Sequence, residues 1–259
     1  MLSSIIKNKF GSTLFRLLFK IEPILQLQPR YHFRLNNFLF RECCRKLSAY
    51  YSSPFFVKVG ANDGLTGDPC SDILLNDRKW RGILIEPVPY NFERLKENFK
   101  DHSRFLFEQI AIGKESGQAK FFYVDKIAKE KVTNLPDWYD QIGSFDRNHI
   151  LKHLNGVLEP YIIECEIEVN SLSETLKRNE IQEIHLLHID TEGFDLEILK
   201  SIDLSQIQPV IIYIEHQHLD NESKQEMLSI LSSDSYLIKD CGADFFAYKQ
   251  ELLEYVEKQ

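Results

Sequence analysis

The sequence predicts an α/β fold built on a doubly wound, mainly parallel β-sheet with helices on both faces. Three observations predict it. Short apolar runs rich in β-branched and aromatic residues alternate with helical patterns, the connections between them are short, and the first run ends in a loop of small residues at 60–67. The carboxyl ends of parallel strands meet at one edge of a sheet, and ligands bind at that edge.

The predicted elements follow one another in regular alternation. A helical pattern at about 37–49 precedes a strand at 55–59, which follows Pro54, where a missing amide donor is tolerated. The next elements are a helix at 69–75, strand 82–86, helix 89–99, strand 104–112 and strand 118–124. After an irregular stretch at 125–159 come strand 161–169, helix 171–178, strand 184–189, helix 195–202, strand 210–215, helix 221–231 and a hairpin-like pair at 236–240 and 245–249. Ser171 and Glu174 form a capping-box pattern at the start of helix 171–178.

Charge divides the chain unevenly. The net charge is −8, yet residues 1–50 carry about +7 and the remainder about −15. We therefore predict a basic helical arm at 1–50 and an acidic α/β domain at 51–259, with a substrate or lid insert at about 125–159. An acidic domain argues against a protein that binds nucleic acid over its whole surface.

The N-terminal arm has an amphipathic helical pattern at 2–20. A helix docked on the main domain or on a second copy in a homodimer would explain it, and weak peripheral contact with an anionic membrane is the alternative. Charged residues interrupt the apolar run at 14–19, which argues against a signal peptide and a spanning helix. The five cysteines show no C-x-x-C spacing and predict a reduced, cytoplasmic protein. Association with the cytoplasmic face of a membrane is compatible with this prediction.

The loop after the first strand pairs with an acidic residue after the second. Gly60, Asn62, Asp63 and Gly64 form the loop, and Glu86 ends the next strand about twenty residues on, a position from which a carboxylate can accept both hydroxyls of a ribose. The glycine spacing differs from G-x-G-x-x-G, and a carboxylate at Asp63 would repel a diphosphate but stabilise an ammonium. The loop therefore predicts a nucleoside cofactor without phosphate, such as S-adenosylmethionine.

A second acidic group follows the strand at 184–189. Asp190 and Glu192 lie at its carboxyl end, and the strand at 210–215 delivers Glu215 and His216 to the same edge. An imidazole beside a carboxylate can act as a base near neutral pH, so Asp190, His216 and Glu215 are the predicted catalytic residues. Asp190 and Glu215 could instead hold a divalent cation, a variant that the residue pattern does not favour.

The insert at 125–159 supplies the predicted substrate contacts. His149, Lys152 and His153 share one face of a short predicted helix at 146–154, where they would contact an anionic substrate. Ser144 and Glu192 are predicted to contact the substrate as well.

The motifs together resemble those of FkbM-type S-adenosylmethionine-dependent methyltransferases. The resemblance covers about residues 55–215 and rests on four motifs: VGANDG at 59–64, GILIEPVPYNFERLKENF at 82–99, AIG at 111–113 and HIDTEGFDLEILKSID at 188–203. It implies a seven-stranded class I methyltransferase fold and O-methylation of sugars or other hydroxylated metabolites, such as a polysaccharide or a nucleotide sugar.

The resemblance also implies roles for particular residues. Gly60, Asn62 and Asp63 would hold the methionine end of the cofactor and Glu86 its ribose, while Gln109 and Ile110 would flank the adenine. Two alternatives from other classes stay open at this point, an NAD-dependent oxidoreductase that shares the sheet and a non-catalytic binding domain of the same fold.

Overall fold

The computed structural model describes residues 17, 18, 28–101 and 103–252. The strands are β1 (Phe55–Val59), β2 (Arg81–Ile85), β3 (Phe105–Glu108), β4 (Ala111–Ile112), β5 (Gly117–Val124), β6 (Ile162–Asn170), β7 (Leu186–Ile189), β8 (Ile211–Glu215), β9 (Tyr236–Asp240) and β10 (Asp244–Lys249). The helices are α1 (Pro29–Tyr50), α2 (Ser71–Asn76), α3 (Pro89–Asn98), α4 (Ala128–Lys131), α5 (Arg147–Lys152), α6 (Leu172–Arg178), α7 (Asp195–Lys200) and α8 (Asn221–Ser233). Short 3₁₀ helices cover His153–Gly156 and Glu159–Tyr161.

The main sheet confirms the predicted fold class. Within the described residues it has seven strands in the order β3-β2-β1-β7-β8-β10-β9. The first five run parallel, whereas β10 is antiparallel to both β8 and β9. At the centre, Val57 of β1 is paired with Ile83 on one side and Leu187 on the other. The carboxyl ends of β1, β2, β7 and β8 therefore meet at one edge, as predicted.

Apolar layers cover both faces of this sheet. One layer includes Phe56, Tyr213 and Phe246 together with Leu39 and Phe40 of α1. Helix α1 starts earlier than the predicted 37–49 because Pro29 opens it rather than breaking it, since a proline lacks only an amide donor that the first turn does not use.

A second, three-stranded sheet lies beside the main one, in the order β4-β6-β5. The predicted strand at 104–112 is divided between the two sheets. Glu108 of β3 is still paired with Ile85, but Ala111 of β4 is paired with Val169 of β6. The chain therefore changes sheets at 109–110, a change that its uninterrupted apolar pattern does not reveal.

The insert at 125–159 has a small core of its own. Val124, Ala128, Tyr139, Ile150 and Leu158 are buried together there. Helix α5 begins after Asp146, whose carboxylate accepts a hydrogen bond from the Asn148 amide, and it matches the predicted helix at 146–154. The insert therefore has a fixed position against β5 and β6.

The predicted helix at 2–20, on which the membrane and homodimer hypotheses depend, lies outside the described residues except for Leu17 and Leu18. In the part of the chain that the structure describes, no helix is both long and apolar enough to cross a membrane. All five cysteines are unpaired thiols.

Candidate functional site

A cleft opens at the carboxyl edge of the main sheet and contains about 470 Å³ of empty space. Its lining comes from the ends of β1, β2 and β7, from the connection between β3 and β4, and from the insert. The lining residues are Val59, Gly60, Asn62, Ile85, Glu86, Pro87, Val88, Ile110, Ala111, Ile112, Phe121, Gln141, Gly143, Phe145, Asp190, Thr191 and Glu192.

Glu86 is fixed at the end of β2 by main-chain hydrogen bonds. Its Oε2 accepts from the Asn62 amide at 2.8 Å and its Oε1 accepts from the Val88 amide at 2.8 Å. Each carboxylate oxygen keeps a further lone pair, so the two oxygens can accept two neighbouring hydroxyls of a ribose. Burial raises the pKa of Glu86 to about 7, although the two amides act in the opposite direction.

The glycines of the loop after β1 lie very close to other parts of the protein. Gly60 has a φ of +76°, and a Cβ there would lie 1.7 Å from the main-chain oxygen of Asp190. Gly64 has a φ of +78°, and its Cβ would lie 2.5 Å from the Phe99 ring. Asn62 also has a positive φ, of 49°, and its side of the loop lines the cleft. The glycines thus allow close packing within the protein.

Asp63, the predicted ammonium contact, is engaged inside its own loop. Its Oδ1 accepts from the amides of Leu65 and Thr66, and its Oδ2 accepts from the Thr66 hydroxyl. Burial opposes ionisation, but these hydrogen bonds outweigh it and hold the pKa of Asp63 below its usual value. The side chain shapes the loop, and Asp63 is not among the residues that line the cleft.

The ionisable side chains that line the cleft are all acidic. Glu86, Asp190 and Glu192 line it, and among the described lining residues there is no lysine or arginine. A diphosphate would be repelled there, whereas an ammonium or a sulfonium would be stabilised. Pro87, Val88, Ile110 and Ile112 supply apolar surface for a base. The cleft therefore fits S-adenosylmethionine, which carries both cations, a ribose and an adenine.

The turn after β7 aims its acidic side chains in different directions. Asp195 is buried and accepts hydrogen bonds from the amides of Thr191 and Gly193. Glu192 has a φ of +57° between them. Burial, together with the charges of Glu192 and Asp195, raises the pKa of Asp190 well above its usual value. Asp195 thus holds the turn, while Asp190 and Glu192 face the cleft.

Beside the cleft, Glu192 is surrounded by three histidines. Its Oε2 lies 3.0 Å from His149 Nε2 and 3.1 Å from His218 Nε2. His153 Nε2 lies 3.2 Å from His149 Nε2. Burial raises the pKa of Glu192, but hydrogen bonds from His149 and His218 lower it to about 2. Burial lowers the pKa of His153, and the neighbouring His149 adds to the effect. We call these four side chains the histidine cluster.

The remaining residues of the predicted substrate side are separated from this cluster. Lys152 is exposed at the end of α5. Ser144 is buried and hydrogen-bonds through its main chain to Phe122 of β5, which extends the second sheet. The structure therefore brings His149, His153 and Glu192 together, but not Ser144 or Lys152.

The three predicted catalytic residues do not lie together in the cleft. Asp190 lines the cleft. Glu215 ends β8 with Oε1 at 3.4 Å from His218 Nε2, and burial together with Asp190 raises its pKa well above the usual range. His216 points the other way, because its ring stacks on Phe245 with the ring centroids 3.9 Å apart. Its role as a base, and a cation between Asp190 and Glu215, stay predictions.

Of the two predicted adenine contacts, Ile110 lines the cleft and Gln109 does not. Several lining residues were absent from the prediction, namely Phe121, Gln141, Gly143, Phe145 and Thr191. His218 has no role in the sequence prediction either. Its signal in the sequence is the spacing of three residues between Glu215 and His218, directly after an apolar strand.

Comparison with known proteins gives a family match over most of the domain. The family described as "Methyltransferase FkbM domain" matches residues 58–245, well over half of the chain. The match spans both acidic groups of the cleft and the whole insert. Among curated proteins, no significant match is found.

Two solved structures show a weak similarity to this chain. A Methanococcus jannaschii fibrillarin pre-rRNA processing protein has a TM-score of 0.40 at 12% identity, covering 78% of this chain and 68% of its own. A precorrin-6y C5,15-methyltransferase from Geobacter metallireducens has a TM-score of 0.36 at 11% identity, covering 82% and 88%. With TM-scores this low the likenesses carry no argument, and the fold assignment rests on the strand order.

The family match decides between the functional classes that the sequence leaves open. It confirms the resemblance and supports neither an NAD-dependent oxidoreductase nor a non-catalytic domain. The acidic cleft, with Glu86 held for a ribose, agrees with this result. The chain therefore belongs to the FkbM methyltransferase family and is an S-adenosylmethionine-dependent enzyme.

Proposed function

We propose that this methyltransferase acts on a hydroxyl group of a sugar or glycan. The observation that supports it most is the composition of the cleft. Besides Glu86, its lining includes Asp190, Glu192 and Phe145. Carboxylates accept hydrogen bonds from several hydroxyls at once, and an aromatic ring packs against the apolar face of a sugar.

The acceptor must lose a proton when its oxygen bonds to the methyl group. S-adenosylmethionine, when bound, supplies a methyl group on a sulfonium, which is a good leaving group. Asp190 lines the cleft and in its ionised form, which the cations of the bound cofactor would favour, is placed to accept that proton. Glu86 and the loop after β1 would hold the cofactor in line with the acceptor, and such alignment supplies much of the acceleration.

The charge of the cleft favours a neutral acceptor group. Because carboxylates line it without a described lysine or arginine, a phosphate of a nucleotide sugar would have to remain outside the cleft. We therefore expect neutral oligosaccharides or the sugar end of a larger glycan to be methylated best.

The test is an acceptor screen that measures release of S-adenosylhomocysteine with neutral oligosaccharides, polysaccharide fragments and nucleotide sugars. With the best acceptor and saturating cofactor, Asp190→Asn should lower kcat at least about 100-fold, the scale of a positioned base. Glu166→Gln, on the exposed side of β6, is the matched control. Methylation of nitrogen acceptors alone, or an unchanged kcat in Asp190→Asn, would contradict the proposal.

A further inference from the structure

The histidine cluster joins three parts of the chain that are distant in sequence. His149 lies on α5 and His153 directly follows it, Glu192 lies in the turn after β7, and His218 follows β8. The four side chains offer one ligand atom each, and these atoms all lie within 4.8 Å of one another. The side chain of His149 is 10% exposed and that of Glu192 is 15% exposed, so bulk water is largely excluded.

Three of the six separations between the four ligand atoms are close to those between ligands of one metal ion, and the other three are at most 4.8 Å. Three contacts, His149 Nε2 to Glu192 Oε2, His218 Nε2 to Glu192 Oε2 and His149 Nε2 to His153 Nε2, measure 3.0, 3.1 and 3.2 Å. Tetrahedral ligands about 2.0–2.1 Å from a zinc ion are about 3.3 Å from one another. The spacing between His149 and His153 is also that of the H-x₃-H pairs found in zinc sites.

Hydrogen bonding does not account for all three contacts. The Nε2 of His149 can donate its proton to Glu192, but it then has no lone pair with which to accept a proton from His153 Nε2. If it accepts from His153 instead, two lone-pair atoms face each other at the Glu192 contact. A cation at the centre would satisfy all of these atoms together.

We propose that His149, His153, His218 and Glu192 bind one divalent transition-metal ion of the zinc class. Imidazole nitrogens select such metals over magnesium and calcium, which prefer oxygen ligands. Glu215, whose buried Oε2 has no hydrogen-bond partner among the described residues, lies beside the cluster with its Oε1 3.4 Å from His218 Nε2.

A second group of potential ligands shows the contrast. Asp68, Cys70 and His188 also lie together, but the buried ammonium of Lys58 pairs with Asp68. That group already contains its cation. In the histidine cluster, no lysine or arginine forms an ion pair with Glu192 among the described residues.

The ion would fasten the insert to the edge of the main sheet. It would join α5 to the turns after β7 and β8, and Glu192 would place it beside the acceptor side of the cleft. The inference concerns metal binding, so it does not depend on which acceptor is methylated.

The experiment uses the full chain, treated with a chelator and dialysed, and titrated with Zn²⁺, Co²⁺ and Mg²⁺ in calorimetry. We expect one equivalent of Zn²⁺ or Co²⁺ to bind and Mg²⁺ not to bind. The bound Co²⁺ should show the intense visible absorption of a tetrahedral complex, a readout that requires no variant. Zn²⁺ should also protect the insert from limited proteolysis.

Variants locate the site. His153→Gln and His218→Gln should each weaken Zn²⁺ binding at least about tenfold, because each removes one ligand. Lys152→Ala changes an exposed neighbour on the same helix and should leave the affinity unchanged. Circular dichroism verifies that each variant is folded. Absence of stoichiometric Zn²⁺ binding, an octahedral Co²⁺ spectrum, or equal affinity in the His153 and His218 variants and the unmodified chain would overturn the proposal.

Discussion

The α-carbon of Gly60 faces the main-chain oxygen of Asp190 so closely that an added Cβ would lie 1.7 Å from that oxygen. The two residues end the neighbouring strands β1 and β7, and the Asp190 amide donates to the Val59 oxygen at 3.0 Å. This approach sets the distance between the cofactor loop and the residue that we propose as the base. The glycine is therefore required by packing as well as by its φ of +76°.

Substitution of Gly60 tests this relationship. Gly60→Ala should lower the free energy of unfolding by about 3 kcal/mol or more, because a strained backbone conformation and a steric clash are combined. Gly117→Ala is the matched control, since a Cβ there would have no atom within 4 Å and its φ is not positive. Urea denaturation of both variants gives the comparison, and equal midpoints would contradict the close packing.

Removing the charge of Glu86 should weaken cofactor binding. Glu86→Gln loses one acceptor oxygen and turns an amide donor toward either the Asn62 or the Val88 amide. Hydrogen bonds to a charged group contribute about 1.5–3 kcal/mol, so the Kd for S-adenosylmethionine should rise by roughly 10- to 100-fold. Isothermal titration calorimetry measures it, with Glu166→Gln as the control on the exposed side of β6. An unchanged Kd would remove the ribose role from Glu86.

Cofactor affinity should depend on pH through the same group. The pKa of Glu86 is about 7 in the folded protein without ligand, and the ionised form is the one that accepts both ribose hydroxyls. Affinity should therefore increase as pH rises through about 7, by at most about tenfold per pH unit, and level off above it. In the absence of the cofactor, the effect of this group on the stability of the fold depends on pH in the opposite direction. Because the folded pKa is raised, this group's contribution to stability is present at low pH and lost as pH rises through about 7.

Titrations of S-adenosylmethionine at pH 6, 7 and 8 test this dependence. The Glu86→Gln variant separates it from ionisation of the cofactor's own amino group, because a glutamine does not titrate. If the variant kept the same pH profile, the profile would belong to the cofactor and not to Glu86.

The sequence predicts those parts of the site that depend on single strands. Glu86 and Asp190 end apolar parallel strands, and the alternation of elements is sufficient to bring such ends to one edge. The pattern cannot show which hydrogen bonds a side chain makes within its own loop. Asp63 was therefore predicted as a ligand contact, whereas its oxygens accept from Leu65 and Thr66.

The sequence pattern also does not predict contacts between segments that are distant along the chain. The spacing of His149 and His153 predicts that they share a helix face, but their approach to His218 depends on where the insert lies relative to the turn after β8. The choice between His216 and His218 depends on the turn after that strand, which directs one ring to Phe245 and the other to Glu192. Neither contact leaves a periodic signal in the sequence.

The buried pair of Lys58 and Asp68 should be among the most sensitive positions in the sheet. The Lys58 ammonium pairs with the Asp68 carboxylate, and their side chains are 6% and 2% exposed. Asp68 Oδ1 also accepts from the Cys70 amide at the start of α2. Lys58→Met leaves a buried carboxylate without its cation, and we expect a loss of about 3–5 kcal/mol in the free energy of unfolding. Lys58→Met combined with Asp68→Asn should be less destabilised than Lys58→Met alone, because the uncompensated charge is removed.

The exposed pair of Lys120 and Glu164 is the control, and Lys120→Met should cost at most about 1 kcal/mol. Urea denaturation of the three variants and the unmodified chain measures these differences, and a similar small loss for both single lysine variants would show that the buried pair is solvated.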